Sequence, residues 1–66
     1  MNVVYDPKTD TLHLELKPGP VAESDEHKPG IIFDYDAKGN IVSIEILDAS
    51  RNVAEVKNLR FQIAAE

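Results

Sequence analysis

Sixty-six residues with twelve acidic side chains, seven basic ones and no cysteine make a small acidic chain of formal charge −5, without a disulfide, a thiol nucleophile or a cysteine-based zinc site. At this size folding buries only about 60% of the unfolded chain's surface, so stability is marginal and a partner or self-association helps. The negative charge disfavours direct nucleic-acid binding, and no run of about eighteen apolar residues marks a membrane span, so the expectation is a soluble, cytoplasmic protein.

In chain order, "NVVY" is short and β-branched, and "TLHLEL" alternates apolar and polar residues. With the turn "DPKTD" between them they predict a first hairpin over residues 2–16. Pro7 presets the first corner of that turn. Thr9 is costly in the left-handed region, so the turn is expected to differ from its counterpart in the second hairpin. Residues 17–29, "KPGPVAESDEHKP", read as an acidic connection between proline-rich ends. A short edge strand falls within 21–26, where Glu23, Asp25 and Glu26 discourage edge-to-edge aggregation.

A second hairpin is predicted over residues 30–47, from "GIIFDY" through "DAKGN" to "IVSIEI". Asp36 has the spacing to bond the backbone two residues on, and Gly39 supplies the positive φ of a type I turn with a G1 bulge. In the C-terminal segment, 48–66, Asp48 or Ser50 caps or turns the chain, and Asn52 with Glu55 has capping-box spacing, which predicts a short helix over 52–57. "LRFQI" then alternates Leu59, Phe61 and Ile63 as a final strand would, with one continuous C-terminal helix as the competing reading.

The two hairpins are copies. "YDPKTDTLHLEL" aligns without a gap on "YDAKGNIVSIEI" thirty residues later, with Tyr, Asp, Lys and Glu identical and Leu12, Leu14 and Leu16 falling on Val42, Ile44 and Ile46. The alternation sends Leu12, Leu14, Leu16, Ile31, Phe33, Val42, Ile44 and Ile46 to one face, the expected core. The other face carries Thr11, His13, Glu15, Ser43 and Glu45, but also Ile32, Ile41 and Leu47. A folded-back C-terminal segment or a second copy in a homodimer is expected to cover part of it.

"DYDAKGNIVSIE" matches a calcium loop at Asp34, Asp36, Gly39, Ile41 and Glu45, but Lys38 puts an ammonium where an oxygen ligand belongs. Strand composition replaces the flanking helices, and Lys8 repeats the lysine in the first copy. A hairpin turn therefore explains both copies, and Asp34, Asp36 and Glu45 remain a secondary candidate for divalent-cation binding. His13 and His27 lack zinc-ligand spacing, and His13, Ser43 and Asp34 form no nucleophile motif, so neither catalysis nor a cofactor is expected. The candidate partner-binding residues are Glu23, Asp25 and Glu26 in the acidic connection and Ile32, Ile41 and Leu47 on the mixed face.

Three blocks in order, "YDPKTDTLHLEL", "PVAESDE" and "PGIIFDYDAKGNIVSIEILDAS", resemble the prokaryotic family catalogued as domain of unknown function 2283, over residues 5–50. The resemblance implies a small β-rich fold with no catalytic residue to transfer. It also implies an antitoxin-like binding role, with a basic, toxin-like protein as partner. The resulting expectation is a single α+β domain over residues 1–66: a small antiparallel sheet of two tandem hairpins, a short C-terminal helix and a final strand, acting as a noncatalytic interaction module.

Overall fold

The computed structural model describes residues 1–65. Five strands, β1 (Asn2–Asp6), β2 (Thr11–Glu15), β3 (Glu23–Lys28), β4 (Ile31–Tyr35) and β5 (Ile41–Ile46), form one antiparallel sheet in the order β1-β2-β5-β4-β3. A single helical turn, α1 (Ala49–Asn52), follows. The architecture is thus a small α+β fold.

The repeat explains the strand order. β1 with β2 and β4 with β5 are the two hairpins, and they join through β2 and β5 with Leu14 opposite Ile44. These two residues are also equivalents in the thirty-residue repeat, so a pseudo-twofold axis passes between them. Val3↔Leu14 in the first hairpin corresponds to Phe33↔Ile44 in the second, and Val4↔His13 to Asp34↔Ser43. The symmetry breaks after Asp34, where the register slips and Tyr35 faces Ile41, leaving Val42 as a bulge. The Val42 carbonyl accepts instead from the Leu16 and Lys17 amides at 2.8 and 3.3 Å.

Both hairpin turns use the same device. Asp6 accepts the Lys8 amide at 2.9 Å, and Asp36 accepts those of Lys38 and Asn40, each at 2.9 Å. The expected difference between the turns also exists. Gly39 takes a φ of 81°, whereas in the first turn the left-handed residue is Asp10, at 53°, and not its neighbour Thr9. An aspartate tolerates that region where a β-branched threonine does not.

The acidic connection contains a true strand, shifted toward its C-terminal end. β3 is exposed along its whole length, pairs only with β4, and turns into it through Pro29 and Gly30, whose φ is 82°. The slip between Glu26 and Lys28 leaves His27 as a second bulge, its ring stacked on Phe33 with centroids 5.4 Å apart.

The helix lies earlier than capping-box spacing predicts. Asn52 ends the helical turn, its side-chain amide donating to the Leu47 and Asp48 carbonyls, and Val53 is already extended. The N-terminal cap comes from a distant residue: Asp10 accepts the Ser50 hydroxyl at 2.6 Å and the Ser50 amide at 3.0 Å, while the Asp10 carbonyl accepts the Ala49 amide at 2.9 Å. Beyond α1 the described residues contain neither the final strand nor a continuous helix. Leu59, Phe61 and Ile63 are 68, 74 and 78% exposed and join no ladder. No helix of the described residues is long and apolar enough to cross a membrane.

Candidate functional site

The expected core face exists but is not closed. Leu12, Leu14, Phe33, Ile44 and Ile46 share it and all are half-buried, and no large side chain among the described residues is completely buried. Among the described residues only Val42 and Ala49 reach hydrophobic core burial, and Leu16 is exposed just past β2. A fully buried Leu or Ile contributes roughly 1.5–3 kcal/mol, so partial burial leaves part of that stabilisation unrealised. The segment after α1 covers the β1–β2 side of this face. Val53, Val56 and Leu59 stand over Val3, Leu12 and Leu14 across a cavity of about 420 Å³. A second hollow of about 400 Å³ lies between Met1, Val3, Leu59 and Phe61. The C-terminal segment thus folds back onto the apolar face, not onto the mixed face for which a cover was expected.

The opposite face has a polar centre. Asp34 and Ser43 pair across β4 and β5 and are almost completely buried. Asp34 accepts the Ser24 hydroxyl on one oxygen and the Ser43 hydroxyl on the other, both at 2.6 Å. Burial alone would push the Asp34 carboxyl up. The two hydroxyls, a hydrogen bond from Glu45 and the nearby His13 outweigh it and hold the group below its ordinary range. Glu45 is pushed up, first by its hydrogen bond to Asp34 and then by burial and the Asp34 charge. Asp34 thus keeps its charge more readily than Glu45, and His13 lies directly opposite Glu45 on β2.

Asp34 and Glu45 are therefore brought together, but Asp36 is not. Its carboxylate pairs with Lys17 at 2.7 Å as well as holding the turn, and the lysine and turn amides lower its pKa to about 2. No trio of His, Cys, Asp or Glu among the described residues is arranged to hold a metal ion, and no buried side-chain nitrogen or oxygen among them lacks a partner. Ser43 donates its proton to a carboxylate and not to His13, which is not the arrangement that activates a serine nucleophile.

The partner-binding candidates divide. Glu23, Asp25 and Glu26 are exposed on the β3 edge. Ile32 lies on the polar face opposite Glu45, Ile41 is 38% exposed beside the β5 bulge, and Leu47 is half-buried, its amide bonded to the Gly30 carbonyl. The residues not singled out from sequence were Ser24, the second hydroxyl on Asp34, and Asp10. The available signal for the first was an aspartate inside an apolar strand where the other copy has Val4.

No curated protein and no solved structure matches the chain. The family described as Protein of unknown function (DUF2283) matches residues 2–50, all five strands and the start of α1, and the chain belongs to that family.

Proposed function

We propose that the protein is a noncatalytic binding module that docks another protein on the apolar face of its sheet. One observation carries this reading: a whole sheet face of large apolar side chains without a single fully buried member, continued by the exposed Leu59 and Phe61. The acidic β3 edge beside it supplies a charged rim that steers a basic partner and makes association salt-sensitive. In its concrete form the role is antitoxin-like, the acidic chain occupying a basic, toxin-like protein. The polar cluster around Asp34 serves the sheet internally, because each of its carboxylate oxygens already accepts a hydroxyl, from Ser24 and from Ser43.

Affinity capture from native lysate tests the reading when the wild type is compared with the L59D/F61D double variant. Both side chains are mostly exposed in the chain itself and neither belongs to a strand, so the hydrogen-bonded ladder of the sheet does not depend on them. Proteins recovered with the wild type are expected to be lost with the variant. Identical recovery with both would overturn the docking of another protein through Leu59 and Phe61.

A further inference from the structure

We infer that the occupant of the apolar face is a second copy of this chain, stacked sheet on sheet to make a ten-stranded sandwich. The inference rests on the binding-module reading and names its partner.

Surface area supplies the first argument. A compact 7.3 kDa chain exposes about 4,200 Å² by the scaling of folded monomers, whereas this one exposes 5343 Å². The excess, roughly 1,100 Å², is of the order of the ~800 Å² that each partner buries in a standard stable interface, and much of it lies on Met1, Leu59, Phe61 and Ile63 beside the sheet face. Shape agrees: the chain measures 36 × 32 × 19 Å, a slab with one sheet and a partial cover, and packed sheets stack about 10 Å apart.

Charge decides between a second copy and a basic partner at this face. The chain carries −5, yet Leu12, Leu14, Ile31, Phe33, Ile44 and Ile46 present no charge across β2, β5 and β4. The carboxylates of β2, β4 and β5, namely Glu15, Asp34 and Glu45, project from the opposite face. The charges of the apolar face stand at its borders, Asp25 on the β3 side and Glu55 with Lys57 in the covering segment, so a basic protein finds no acidic group at the centre, whereas two copies bring neutral centre against neutral centre. Asp25 and His27 on β3 border the patch, giving the apolar centre and polar rim of a protein interface. The exposed Leu59 and Phe61 extend the apolar area beside Val3. A twofold axis through such a patch is self-complementary and closes at two copies.

Sedimentation of the full chain at micromolar concentration, combined with isotope-filtered NMR on an equal mixture of labelled and unlabelled protein, tests the inference. The expected results are twice the 7.3 kDa chain mass and intermolecular contacts among the Leu14, Phe33 and Ile44 side chains. L59D/F61D is expected to weaken the dimer by about 100-fold or more, on the scale of interface hot spots. A dimer whose intermolecular contacts fall on the β1 or β3 edge overturns the proposed face. A folded monomer with intact strand resonances overturns self-association altogether. If that monomer still captures other proteins through Leu59 and Phe61, the binding-module reading survives without the second copy. A dimer that captures nothing else removes the heterologous partner instead.

Discussion

Asp34 holds three strands together through two short hydroxyl bonds, one from β3 and one from β5. Asp34→Ala leaves the buried Ser43 hydroxyl without an acceptor and is expected to cost about 2–4 kcal/mol in urea unfolding, the scale of losing charge-assisted bonds. Glu45 works in the opposite sense. Its pKa is raised, so its stabilising contribution is present while it holds its proton and is lost as pH rises through that raised value. Glu45→Gln keeps a donor toward Asp34 at every pH. Its advantage over the wild type should therefore grow as pH rises and vanish at low pH, as Tm measured across a pH series would show. Asp36 follows ordinary carboxylate linkage. Its contribution is complete above the unfolded value of about 3.9 and is lost as pH falls through about 2. Carboxyl NMR on Lys17→Ala should find the Asp36 midpoint moved up from about 2. In a calcium titration the Gly39 and Glu45 amide signals are expected to stay in place. Saturable shifts at micromolar calcium would establish a cation site that this geometry does not support.

At the scale of elements, the hairpins were legible because period-two alternation and a thirty-residue repeat both point to them. The Asp36 turn was legible down to its side-chain bond and its glycine. Open space surrounds Gly39, so Gly39→Ala meets no clash and tests the left-handed backbone alone; the expected loss is about 1–2 kcal/mol in thermal unfolding. The helix was harder to place. Asn52 and Glu55 have capping-box spacing, but Asp10 supplies the cap from forty residues away, a tertiary contact with no local signature. Asp10→Ala should therefore speed hydrogen exchange at the Ser50 amide while leaving the amides of β4 and β5 protected. The bounds of β3 were obscured for another reason: "ESDEHK" lacks apolar alternation because both of its faces are exposed. The polar cluster was half legible, since Asp34 stood out in an apolar strand. Its partnership with Ser24 depended on how β3 docks against β4.

At the scale of the whole molecule, the alternation of Leu59, Phe61 and Ile63 has the period of a strand, yet no strand among the described residues pairs with it. The same mismatch runs through the fold. Sequence patterning prepares an apolar face large enough for a two-layer structure, and one chain supplies a single sheet and a partial roof. In the proposed dimer a second copy supplies the missing layer. Methyl NMR with a soluble paramagnetic agent measures this cover residue by residue. In the wild type, Ile31 and Ile44, which the chain's own C-terminal segment does not roof, should be shielded while Val4 and Val21, about half exposed, broaden strongly. In L59D/F61D, Ile31 and Ile44 should broaden several-fold more than in the wild type. Equal broadening of Ile31 and Ile44 in the two proteins would contradict the account.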